Sequence, residues 1–307
     1  MSIHTSHKKQ LHTLLLGILA FTIFGLTACV ESNKKAEKTD LQEESDDNKE
    51  KSSNLFAVEG KVFSIPSPIQ TALLLKSVGT DFNTALLNPV ENEKNYSTSY
   101  VKALNLGIYA ADLGYSTIYD QSQSALSYMA VTQKLSNDMG ISGVFDKTLI
   151  QRFENSIGNQ DSLLALVAHA FKKTDRYLKD NKQKDVSVMV LAGGWIETLH
   201  LATSLVGQDK NETIKNRIGE QKITVKNLIN LLLPYRETPV IGDLLNHLNE
   251  LKDIYADINF TYNFRLPETI AEKKLTIIKS ESTVEINEAQ LKAITEKISE
   301  IRKGITN

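Results

Sequence analysis

One cysteine in 307 residues excludes an internal disulfide framework and any zinc site built from several thiolates. Neither sign of charge dominates. There are 35 Lys and Arg against 37 Asp and Glu, and the formal net charge is −2. With no basic stripe, the composition points away from nucleic acid as a partner. Motifs that announce chemistry are missing too. The chain has no Gly-x-Ser-x-Gly elbow, no Gly-x4-Gly-Lys-Ser/Thr phosphate loop and no His-Glu-x-x-His pair. Their absence does not exclude an enzyme. It removes the positive case for one, and no cofactor is implied. After the first thirty residues, no segment reads as a membrane span.

The one cysteine, Cys29, closes the stretch HKKQLHTLLLGILAFTIFGLTAC. His7, Lys8 and Lys9 make a positive start. Leu11 to Leu26 is almost wholly apolar, and Thr27 and Ala28 are small. That order is the order of a secretory signal peptide. The apolar run falls short of the roughly 20 residues a membrane span needs. Leu26-Thr27-Ala28-Cys29 resembles the lipobox of bacterial lipoproteins. The resemblance covers about the first thirty residues. It implies cleavage before Cys29, diacylglycerol on its thiol and a membrane as partner. Val30 stands where an aspartate often marks inner-membrane retention, so the resemblance favours the outer membrane.

Glu31 to Asn54 holds one large aliphatic residue, Leu41, and no aromatic. Such a segment buries too little apolar surface to offset its ordering entropy. It reads as a disordered charged tether with a reach on the order of 25–30 Å. Three regions follow: a signal peptide at 1–28, a lipidated cysteine and tether at 29–54, and a helical domain at 55–307.

Within 55–307 the periodicity is helical. Ser67-Pro68 pairs a cap with proline in the first turn, and the helix it opens stops at Gly79. A short helix is expected over Asp81 to Leu87, ended by Asn88-Pro89. A long one runs from Ser97, with Leu104, Ile108, Ala111, Tyr115 and Ile118 as its apolar stripe. Further helices are expected over Ser122–Met139, Lys147–Ser156, Ser162–Lys179 and Val186–Val206. Asn211 opens one that Pro234 closes, and Thr238-Pro239 opens the next. Asn287 and Gln290 form a capping-box-like pair at the start of the last, Glu288–Lys303. The runs LFAVEGKVFSI, KLTIIKS and STVEI carry strand signals. The last two suggest a hairpin around Glu281. The fold class is all-α: a multi-helix antiparallel bundle or helical array with minor short β-strands.

Two stretches are candidates for function. The long helix has a second face, on which Tyr109, Asp112, Ser116 and Tyr119 repeat at three and four, bordered by Asn105. Tyrosines offer apolar bodies with hydroxyls that need partners. An acid between them suits either the polar contact of a pocket or a hydrogen-bonded interior helix. The second stretch is LAGGWIETLHLA, Leu191 to Ala202. Two glycines inside a helix cost about 1 kcal/mol each against alanine, so Gly193 and Gly194 need a reason. Close helix approach, with Trp195 filling the space beside it, supplies one. Glu197 and His200 share a helix face, at the spacing used in di-iron bundles. Asp243 and His247 offer two further ligands, and His169 reads as a core histidine. The ligand-contact set is therefore Tyr109, Asp112, Tyr119, Trp195, Glu197 and His200, with no residue assigned to a metal.

These readings leave three functions open. One is a binding or interaction module for a protein or small molecule, held at the membrane. Another is a metal-binding protein or metal-dependent enzyme using Glu197 and His200. A third is a structural component of the envelope, which an exposed apolar patch would suit.

Overall fold

The computed structural model describes residues 55–58, 61–65, 67–141, 143–209 and 211–307. The signal peptide, Cys29 and the tether lie outside the described residues.

Local sequence sets the helix boundaries. Ser67 is extended and Pro68 begins α1 (Pro68–Ser77), which ends at Gly79 with φ +85°. Thr98 caps α2 (Ser99–Ile118), its hydroxyl accepting the Val101 N–H. Then come α3 (Ser122–Asp138), α4 (Lys147–Asn155), α5 (Gln160–Asp180) and α6 (Lys184–Asp209). Asp146, Asn159 and Asn211 cap α4, α5 and α7 (Glu212–Leu232) in the same way. Pro239 begins α8 (Pro239–Ile254). Asn287 and Gln290 close a full capping box on α9 (Glu288–Thr306). The helix expected over Asp81–Leu87 is a single 3-10 turn, Thr84–Leu86. Asn83 caps it and Leu87 is already extended ahead of Asn88-Pro89, so no room is left for an α-turn.

Helices α2 and α6 form the centre. Every residue of α2 from Ala103 to Ile118 is buried, as two adjoining apolar and aromatic stripes require. It packs on α1, α3, α5, α6, α8 and α9. The α2–α6 crossing is set by glycine. A Cβ on Gly193 would overlap the Leu104 carbonyl, and one on Gly107 would overlap the Val190 carbonyl. The backbones therefore approach closer than any side chain permits. Contrary to the reading that no later segment suits a membrane, Lys184–Val206 of α6 is long and apolar enough to span one by length and composition. Its most apolar stretch is 78% buried inside the fold, which accounts for its apolarity as that of a core helix.

Strands are short and antiparallel, in three two-stranded pairs among the described residues. The first run does fold back on itself, β1 (Leu55–Val58) on β2 (Lys61–Ser64). The hairpin expected around Glu281 does not form. Instead β3 (Asn259–Asn263) pairs with β6 (Glu281–Glu285), and β4 (Glu268–Ile270) pairs with β5 (Leu275–Ile277) between them. The result is one ribbon in two parts, joined where Ser280 Oγ bonds both the N–H and the carbonyl of Arg265. Four residues separate β3 from β4 but only three separate β5 from β6, so the outgoing side of the junction is one residue longer. At its base Val284 packs on Gly219 of α7, where a Cβ would overlap it. Beyond the base, β3 and β5 are exposed along their whole length.

Candidate functional site

The seam between α2, α6 and α9 buries a carboxyl pair. Asp112 of α2 and Glu197 of α6 have no exposed surface. Arg302 of α9 donates to both oxygens of Glu197, from Nε at 2.5 Å and from Nη2 at 2.8 Å. The same Nη2 reaches the Leu86 carbonyl at 2.9 Å. His200 lies nearby on α6, and burial holds its imidazole below the usual histidine range. The turn of chain at 86–89 is thus held from α9 by Arg302 and from α2 by Asp112 and Tyr109.

Asp112 accepts the Asn88 N–H at Oδ2, 3.1 Å away. Its Oδ1 meets no donor. Burial, then the Glu197 charge beside it, pushes its carboxyl well above the usual carboxylate range. Two buried carboxyls this close favour the neutral form of one of them. Arg302 supplies the positive charge beside the pair.

Around it lies a polar shell centred on Asn88. Its Nδ2 donates to Tyr96 Oη at 2.9 Å, and its carbonyl accepts from Tyr128 Oη at 3.1 Å. Tyr109 donates to the Pro89 carbonyl at 2.8 Å. The Tyr109 ring tilts against those of Tyr96 and Tyr128. Asn105 Nδ2 donates to the Ile305 carbonyl at 2.9 Å, tying α2 to the end of α9. Burial raises the Tyr109 and Tyr128 hydroxyls far above the usual tyrosine range, so they stay neutral donors.

The structure therefore brings Asp112, Glu197, His200 and Tyr109 into one region, and it separates the other two residues from them. Trp195 faces α7, where its Nε1 donates to Gln221 Oε1 at 3.0 Å. It lines a narrow cleft with Thr71, Thr198 and Arg217 that has room for about one water. Tyr119 caps the far end of α2, 2.6 Å from Thr80 Oγ1, in a second ring cluster with Phe82 and Tyr115. Burial pushes the Tyr115 hydroxyl there up to about 12. Asp243 and His169 are exposed, so His169 is not the core histidine its apolar neighbours suggested. In α5 it falls on the outward face between Val167 and Ala170, which point in.

His247 stands elsewhere, on α8. With Glu250 and Glu300 it forms the one group of three possible metal ligands among the described residues. The cation position is already filled. Lys297 Nζ lies 3.1 Å from His247 Nδ1 and 3.1 Å from Glu300 Oε1, and it also bonds Glu250.

Arg302, Asn88 and the ribbon were not singled out in the sequence. Arg302 reads as one more base on an amphipathic helix, and Asn88 as a helix stop. The ribbon gathers exposed apolar side chains. Seven of the eleven large apolar side chains exposed among the described residues lie on it, between Phe260 and Ile278. Comparison with protein-family models, with curated proteins and with solved structures gives no match.

Proposed function

We propose that the protein is an interaction module of the bacterial cell envelope. A lipid on Cys29 holds it to a membrane, the outer in preference to the inner, and the β3–β6 ribbon takes a macromolecular partner. The anchor rests on the order of basic start, apolar run and lipobox at Leu26–Cys29. One observation carries the interaction: the clustering of exposed apolar side chains on the ribbon. Tyr262 is 63% exposed, Phe264 67%, Leu266 77% and Ile278 76%. Scattered exposed apolar residues are ordinary on a monomer, but a contiguous set of this size marks a contact surface. A small-molecule pocket at the carboxyl pair gains no such support, because Tyr109, Asp112 and Glu197 offer a ligand no surface.

The test is a photo-crosslinking residue at Phe264 in the full-length chain, made in a bacterium. Covalent adducts should form there and not from Ile157, an exposed apolar residue in the turn before α5. No adduct at Phe264 would sink the interaction reading. The anchor is tested apart from it: Cys29→Ala should abolish palmitate labelling, and labelling that survives would remove the anchor alone.

A further inference from the structure

We propose that the ribbon's partner is a second copy of this chain, which lays its own ribbon edge to edge along β5. The proposal rests on the reading of the ribbon as a contact surface, and it names the occupant.

The first reason is the backbone. Each strand of a two-stranded ribbon has one paired edge and one open edge. Side-chain bonds run across the ribbon, from Ser280 to Arg265, from Thr283 to the Thr261 carbonyl and between Thr269 and Thr276. An open edge has no place in hydrocarbon, where every N–H and carbonyl must be satisfied by protein. Apolar residues beside open edges therefore call for a strand and not for lipid. A two-stranded ribbon is also marginal by itself, and three or more strands give a stable sheet. Two copies supply four.

The second reason is which edge is free. Pro267 and Glu268 sit at the entry of β4, and proline with charge is how natural edges avoid pairing. Strand β5, Leu275–Ile277, holds neither within it, and its flanking charges are Lys274 and Lys279.

The third reason is charge and apolar exposure. Between Asn259 and Glu285 the ribbon carries four basic and four acidic side chains. It is electrically balanced, so a copy of itself meets no net repulsion. Of its seven exposed apolar side chains, Leu275, Ile277 and Ile278 stand on or beside β5, where the copy would lie, and Ile278 is 76% exposed. A two-fold axis between identical edges closes the assembly at two copies. A shared membrane surface would raise the local concentration of both.

The experiment uses the full-length chain with Thr276→Cys, treated with a bismaleimide in isolated envelopes. A covalent species of twice the chain mass is expected. The wild type, whose one cysteine is Cys29, and Ile157→Cys should not give it. Adding Ile277→Lys and Ile278→Lys to Thr276→Cys should lower the yield at least tenfold. The helical circular dichroism and melting temperature should stay unchanged, since these side chains do not support the helices. Equal yield from Thr276→Cys and Ile157→Cys would overturn the proposal as random collision. Adducts only with other proteins would overturn the choice of occupant while the interaction reading stands. If Thr276→Cys gives no adduct of any kind, the proposal falls, and photo-crosslinking at Phe264 decides the broader reading by itself.

Discussion

Arg302, near the end of α9, holds both carboxylate oxygens of Glu197, 105 residues earlier in the chain. Fork-to-carboxylate pairing of this kind is geometrically specific, and here it is nearly dry. Because Arg302 also reaches the Leu86 carbonyl, it joins α6, α9 and the 86–89 turn through one side chain. The last helix is thus locked to the centre by charge as well as by the apolar contacts of Ile294, Ile298 and Ile301.

Removing the arginine should expose the cost of an unpaired buried charge. Arg302→Met is expected to destabilise the fold by about 3–5 kcal/mol, because Glu197 stays buried without its partner. Replacing both, as Arg302→Met with Glu197→Leu, should recover much of that loss. Urea unfolding of the three proteins measures it. A single-variant midpoint equal to that of the wild type would mean that the pair contributes nothing.

Asp112 has the opposite character, since its carboxyl is held well above the ordinary range by burial and by Glu197. The folded state keeps that proton longer than the unfolded chain does. Its contribution is therefore complete below the unfolded value of about 4 and is lost as pH rises through the folded value, at up to about 1.4 kcal/mol per pH unit. Asp112→Asn cannot lose a proton. It keeps an acceptor for the Asn88 N–H and an N–H for Glu197, so it should cost little at pH 4 and gain on the wild type as pH rises. A stability difference that stays flat between pH 4 and pH 8 would show that Asp112 is ionised in the fold.

The helices were legible where local chemistry decides them. Ser67-Pro68, Asn211 and Asn287 with Gln290 mark starts that the structure keeps. The double stripe on α2 covers more than half of the helix and pointed to a central helix contacted from several sides, and the structure buries it from Ala103 to Ile118. Three things were not legible, each for a long-range reason. The Glu197–Arg302 pair spans 105 residues, and nothing near either residue signals the other. Strand β3, Asn-Phe-Thr-Tyr-Asn, alternates as a strand should, but its rings face solvent and its partner lies beyond another hairpin. Tyr119 has the right spacing to join Asp112, yet it sits where the helix ends and turns to Thr80.

Gly193 and Gly194 are neighbours with different jobs, and substitution should separate them. A Cβ at Gly193 overlaps the Leu104 carbonyl, a backbone atom that cannot rotate away. A Cβ at Gly194 finds the Gly107 carbonyl at 3.4 Å, a contact that a slight shift relieves. Gly193→Ala should cost at least the 1–3 kcal/mol typical of overpacking. Gly194→Ala should be near neutral, because alanine's helix propensity returns up to about 1 kcal/mol. Denaturation midpoints for both variants check this, and equal losses would contradict the crossing as described.

The last prediction concerns the cation position on α8 and α9. His247, Glu250 and Glu300 offer three ligand atoms within 4.8 Å of one another, but the Lys297 ammonium already sits among them. Its stem is buried, with a side-chain exposure of 8%, so it is held in place and is not a passing surface lysine. A zinc ion would have to displace a bound positive charge, and the wild type should show no rise in melting temperature with added zinc. Lys297→Met keeps the apolar stem and deletes the charge. It leaves Glu250 and Glu300 facing each other without a counter-ion, which should destabilise the variant. The same vacancy has one imidazole and two carboxylates, a donor set that suits zinc. Zinc should then raise the melting temperature of Lys297→Met, since any ion bound by the folded state alone stabilises it, and a chelator should reverse the rise. Equal zinc response in both proteins would show that the ammonium does not occupy the site, and no response in either would show that the three side chains are not placed to bind.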